Sequence, residues 1–270
     1  MARYIEKDYG TPKSDAETQV TLQIDGQDVV VPEGTSILRA AREAGIEIPA
    51  LCASDMLAAY GSCRMCVCEV EGKGGYPASC HTPVGEGMQV RTSSDKVNQI
   101  RRGVLELYLS DQPEQLYDDG RTELAELAKA YDASPYRFGR DGRNHQNEEV
   151  DDSNPYFRFD QSKCIVCNRC VRACDEVQGT FALTVQGRGF DSKIAASQDE
   201  DFMGSECVSC GACVDACPTD ALIEKNVEDY GMSDHSVVTT CGYCGVGCNF
   251  KAEMKGDQVI RMTPLREGKA

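Results

Sequence analysis

The chain has 270 residues, 44 of them acidic and 28 basic, for a net charge of −16. A polyanion of this kind repels phosphate, which argues against nucleic acid as a partner, and no apolar run reaches the roughly 20 residues needed to span a bilayer. The opening MARYIEKDYG has neither an apolar signal core nor a twin arginine, so a cytoplasmic protein without membrane contact is expected, in a compartment that keeps its 16 cysteines reduced.

Residues 19–31 alternate as two strands, QVTLQID and QDVVV, turned at Gly26. TSILRAAREAG (35–45) follows as a short helix, capped by Thr35 or Ser36 and stopped at Gly45. Strand, turn, strand and helix before a cysteine loop is the layout of a β-grasp ferredoxin. That loop holds Cys52, Cys63, Cys66 and Cys80, spaced C-x10-C-x2-C-x13-C. The plant-type pattern opens with an x4 gap, so a [2Fe–2S] site of a different subclass is expected within 18–93. Gly61, Ser62 and Arg64 surround the central pair, where small residues let amides approach cluster sulfurs. Cys68, two residues past Cys66 on an outgoing strand, reads as a small buried hydrophobe.

A helical connector and linker is expected over 94–154. VNQIRRGVLELYL and TELAELAKAY both show helical apolar spacing, and the stretch from 132 is rich in Asp, Asn, Gly and Arg, as loops are. No cysteine occurs between Cys80 and Cys164.

The next unit, 155–230, contains an internal repeat. CIVCNRCVRAC (164–174) and CVSCGACVDACP (207–218) share the spacing C-x2-C-x2-C-x3-C, 43 residues apart. This is the bacterial ferredoxin run, in which three cysteines bind one [4Fe–4S] cubane and the fourth binds the other. Cluster A is therefore assigned to Cys164, Cys167, Cys170 and Cys217, and cluster B to Cys207, Cys210, Cys213 and Cys174. Pro218 follows the second run where the first has Asp175. YFRFD (156–160) reads as a strand, and the segment around Gly187 and Gly189 as paired short strands. Zinc is the alternative metal, but zinc ribbons set two C-x2-C pairs about 15–20 residues apart. A disulfide framework fits neither the grouping nor the compartment.

The last motif, within 236–270, is Cys241, Cys244 and Cys248 in C-x2-C-x3-C, with Gly242, Gly245 and Gly247 permitting tight wrapping. Three thiolates leave one corner of a third [4Fe–4S] open, and its fourth ligand is expected beyond Ala270. His145 and His235 read as polar surface residues, and no residue is singled out as catalytic.

Together these motifs bring a family into view. The C-x10-C-x2-C-x13-C loop is similar to the [2Fe–2S] domain of the large complex I iron–sulfur subunit and resembles the accessory domains of iron-only hydrogenases. The order of motifs ending in CGYCGVGC resembles the cytoplasmic NAD-dependent formate dehydrogenase α subunit, where that sequence opens a molybdopterin domain. The resemblance implies an α+β chain that conducts electrons from a molybdenum or tungsten bis-pterin guanine dinucleotide centre to a partner subunit binding FMN and NAD. It also implies a histidine-led cluster after the first domain, yet Gln112 stands where that histidine would, and LSDQPEQLYDDGRTELAELA has no cysteine. That cluster is expected to be absent. The alternatives are an electron-wire arm of a hydrogenase or complex I-like enzyme, and a zinc-stabilised interaction module.

Overall fold

The computed structural model describes residues 8–113, 122–139 and 148–265. Strands β1 (Gln19–Ile24) and β2 (Gln27–Pro32) form an antiparallel hairpin. A two-residue turn of this kind needs left-handed backbone at both positions, supplied by Asp25 (φ 51°) and Gly26 (φ 82°). Helix α1 (Ile37–Glu43) starts at Ser36, whose hydroxyl accepts from the Arg39 amide at 3.1 Å, so the serine is the cap in use. Strands β3 (Glu69–Val70) and β4 (Gln89–Arg91) complete a sheet ordered β2-β1-β4-β3 in which β1 and β4 run parallel. Alternation turns Leu22, Ile24 and Val31 inward against Ile37, Leu38 and Ala41. Each large side chain so buried contributes about 1.5–3 kcal/mol.

Helix α2 (Asp95–Asp111) is capped by Ser94, and α3 (Glu123–Ala130) by Thr122. The inner stripe of α2 is Val97, Arg101, Leu105 and Leu109, a helical repeat of four with an arginine in it. Residues 114–121 of the expected connector and 140–147, which include His145, lie outside the described residues.

In the repeat-bearing unit, β5 (Phe157–Phe159) pairs antiparallel with β8 (Leu222–Glu224), bringing the chain before the first run beside the chain after the second. Helix α4 (Arg169–Arg172) continues as a π-helical turn over Ala173–Gln178. β6 (Leu183–Gln186) and β7 (Lys193–Ala196) form the hairpin expected between the runs, and α5 (Ala212–Asp215) carries the second run. Phe157 and Phe159 each meet Phe202 edge to face, with centroids 5.0 and 5.9 Å apart. Helix α6 (Lys225–Tyr230) then leads to a three-stranded antiparallel sheet ordered β11-β10-β9, from β9 (His235–Thr240), β10 (Asn249–Lys255) and β11 (Gln258–Pro264). The architecture is α+β, as expected. Its N-terminal and repeat units meet through one apolar cluster, in which Leu51 and Met65 pack with Leu105, Leu109, Leu124, Ala128 and Cys167.

Candidate metal centres

The loop after α1 folds back so that Cys52, Cys63, Cys66 and Cys80 are all within 1% of full burial. Left-handed residues Gly61 (φ 75°) and Arg64 (φ 59°) make the reversals. Main-chain pairing of Ser79 N with Cys66 O at 3.1 Å and of Cys68 N with Pro77 O at 3.1 Å brings Cys80 back to the loop. The sulfurs then meet: Cys52 touches Cys63 and Cys80, and Cys66 touches Cys80. Main-chain amides also aim at them, Leu51 N toward Cys63 Sγ at 3.4 Å and Cys63 N toward Cys52 Sγ at 3.5 Å. Hydrogen bonds from Cys63 and Cys80 hold the Cys52 thiol far below its usual range, against burial. A bond from Cys80 brings Cys66 down to about 7. The donors Cys63 and Cys80 are pushed up by the same bonds and by burial. A set that shares protons in this way surrenders the remaining ones to a metal charge. Cys68 is buried in the sheet core and pushed up to about 12, chiefly by burial.

Arg101 lies buried beneath this loop. Its guanidinium donates to Met65 O at 3.0 Å and Val67 O at 2.8 Å, the carbonyls flanking Cys66, and to Tyr131 Oη at 3.1 Å. Tyr108 donates to Cys63 O at 3.3 Å, and burial raises its phenol. Neither residue was singled out in the sequence. The signal was an arginine on the apolar stripe of an amphipathic helix.

The two runs repeat each other in backbone as well as spacing. Val166 (φ 50°) and Asn168 (φ 63°) in the first match Ser209 (φ 56°) and Gly211 (φ 78°) in the second. Val166 N reaches Cys164 Sγ at 3.3 Å, and Ser209 N reaches Cys207 Sγ at 3.3 Å. Positive φ is an outlier for a β-branched valine, and here it turns the loop around its sulfurs. The structure gathers the cysteines across the repeats. Cys164, Cys167, Cys170 and Cys217 line one small cavity, walled by Phe159 and Ile194. Cys174, Cys207, Cys210 and Cys213 line another, walled by Phe157, Leu183 and Phe202. Loss of water raises Cys164, Cys170, Cys207 and Cys213, and takes Cys167 to about 12. Thiolates in such walls need a compensating cation.

Cys241, Cys244 and Cys248 sit on the turn between β9 and β10, closed by Cys241 N donating to Cys248 O at 2.7 Å. Cys244 and Cys248 are exposed, with Tyr243 just before Cys244 96% exposed and Val246 between the two 78% exposed. His235 is exposed beside Asp234.

The donor chemistry fits iron–sulfur clusters: thiols in fours, dry walls and amides directed at sulfur. Among the described residues no group of three or more His, Cys, Asp or Glu is arranged to hold a single bare ion. No described helix is long and apolar enough to cross a membrane.

Comparison with known proteins gives three family matches. Residues 17–95 match the 2Fe-2S iron-sulfur cluster binding domain, 154–223 the ferredoxin-like domain of NADH-quinone oxidoreductase subunit 3, and 234–270 the molybdopterin oxidoreductase Fe4S4 domain. The chain is 40% identical over 217 residues to the NADP-reducing hydrogenase subunit HndD of Solidesulfovibrio fructosivorans, covering 77% of this chain and 36% of the relative. It is 31% identical over 267 residues to the mitochondrial NADH-ubiquinone oxidoreductase 78 kDa subunit of Candida albicans, covering 96% and 36%. Among solved structures it resembles a chain of an NAD+-reducing [NiFe]-hydrogenase in the H2-reduced state, with TM-score 0.67 and 30% identity, covering 76% of this chain and 87% of that one. The chain thus spans about a third of the length of the curated relatives it matches.

Proposed function

We propose, from the premise that the chain carries iron–sulfur domains of the NADH-quinone oxidoreductase 75/78 kDa subunit type, that it is the electron-transfer region of an NAD(P)-linked oxidoreductase. The observation that carries this reading is the gathering of thiols in fours, twice across a sequence repeat. Cys52, Cys63, Cys66 and Cys80 would hold a [2Fe–2S] cluster. Cys164, Cys167, Cys170 and Cys217 would hold one [4Fe–4S], and Cys207, Cys210, Cys213 and Cys174 a second. Cys241, Cys244 and Cys248 would offer three ligands to a third. Bound there, these groups supply one-electron carriers. The chain's own residues do the rest. Amides of Leu51, Cys63, Val166 and Ser209 donate to sulfur, Phe157, Phe159 and Phe202 exclude water, and Ser62 Oγ donates to Cys167 O at 3.2 Å, tying the first site to the second. The working units are 18–93, 94–154, 155–230 and 236–270.

The finer reading is a formate dehydrogenase, in which a molybdenum or tungsten pterin domain oxidises formate and a flavin subunit reduces NAD. Its support is CGYCGVGC and the match of 234–270 to the molybdopterin Fe4S4 domain. A hydrogenase arm is the second reading, favoured by the 40% identity to a hydrogenase subunit. The test is made on the assembled enzyme, purified without oxygen. About 10 Fe per chain with matching sulfide is expected from the three complete sets, and about 13–14 with the third cubane. Zinc without sulfide would overturn the electron-transfer reading. NAD(P)+ reduction driven by formate, with molybdenum or tungsten present, supports the first assignment. Reduction driven only by hydrogen replaces it with the second.

A further inference from the structure

The two runs differ in one respect that their shared spacing hides. Two residues before its last cysteine, the first run has Arg172 and the second has Asp215. The Arg172 side chain is 8% exposed and leaves its own helix for the N-terminal unit. Its guanidinium donates to Cys52 O, to Ala58 O and to Asn168 O, and lies 5.4 Å over the ring of Tyr60. All three hydrogen-bond acceptors are main-chain carbonyls, so none of these bonds neutralises its charge. One turn on, in the π-helical segment, Glu176 accepts from Ala58 N at 2.7 Å. Ala58 is therefore held by both of its backbone groups. The wider π turn brings Arg172 and Glu176 to one loop while Cys174, between them, faces the cavity of the second run. At the equivalent place Asp215 pairs instead with Arg261 of β11, at 3.5 Å. The same repeat position thus grips the neighbouring unit at each end, with opposite charge.

We infer that Arg172 is a positioning residue that seats the Cys52 loop on the two-cluster unit and favours the reduced state of the [2Fe–2S] site through its buried charge. The inference rests on the cluster assignment proposed above. Reduction of that site adds one electron and no proton, so a fixed cation against the loop of one ligand stabilises the product. Water screens such a charge weakly.

The experiment is an anaerobic redox titration of the intact enzyme with dithionite, following the [2Fe–2S] signal by electron paramagnetic resonance and counting iron in every sample. Absence of that signal from the unaltered enzyme would mean that the cluster assignment has failed, which separates that failure from this one. Arg172→Gln is expected to disfavour the reduced form about tenfold, a fall of about 59 mV for a one-electron couple. Arg172→Lys, which keeps the charge, is expected to load fully and to stay within about threefold. Asp215→Asn, at the other end, is expected to leave the signal where it was. Should the glutamine variant lose iron, the lysine variant decides: full loading and an unshifted potential uphold the role of charge. A fully loaded glutamine variant with an unchanged potential overturns the inference, and so does a tenfold shift, or loss of iron, in the lysine variant.

Discussion

Arg101 is the residue that most clearly departs from what its helix position calls for. A buried cation costs free energy, and this one offsets it by binding the carbonyls on either side of Cys66. Replacing it by leucine fills the stripe but leaves both carbonyls unpaired, at about 1–3 kcal/mol each. Arg101→Leu is expected to lower the temperature at which the loaded protein bleaches, with the N-terminal chromophore going first. Equal bleaching temperatures in mutant and parent would show the clamp to be idle. Cys66 and Cys68 make a sharper pair. Cys66→Ser is expected to remove about 2 Fe per chain, whereas Cys68→Ala, in the sheet core, should leave the iron count unchanged. Both are read by iron and sulfide analysis.

At the scale of elements, the repeated loop matters more than the short helices it feeds. Each run needs left-handed backbone twice, and the residues supplying it differ: Val166 and Asn168 in one, Ser209 and Gly211 in the other. The space beside Gly211 is open, since a Cβ there would meet nothing within 4 Å. Among the protein's own atoms, conformation rather than contact therefore decides which substitutions it accepts. Asparagine visits this region readily and valine does not, a difference of about 1–2 kcal/mol. Gly211→Asn is expected to keep full iron, and Gly211→Val to lose part of the second cubane, measured as iron per chain. Identical loading would mean that the strain is relieved elsewhere.

Across the whole molecule, most of the fold was legible because local rules agree with it. The Asp25-Gly26 turn, the Ser36 cap and the alternation of β1 are each short-range signals. The repeat itself was legible in the cysteine spacing, because x2 steps leave a chain few ways to wrap, and the two runs line two cavities. What spacing could not carry is how the units face one another. The reach of Arg172 to Cys52 O spans 120 residues of sequence, and that of Arg101 to Met65 O spans 36. Such contacts obey no local period, so arginines that look like solvated charges in the sequence become the joints of the structure. One of these joints bears on how the protein can be made. Cys52 and Cys63 lie under the same apolar cluster that joins Leu51 to Leu105, Leu124 and Cys167, and neither is more than 1% exposed. Iron and sulfide reach thiols sealed in this way only when the structure opens locally. Loading this site, and repairing it once damaged, therefore requires a local opening of the packed loop.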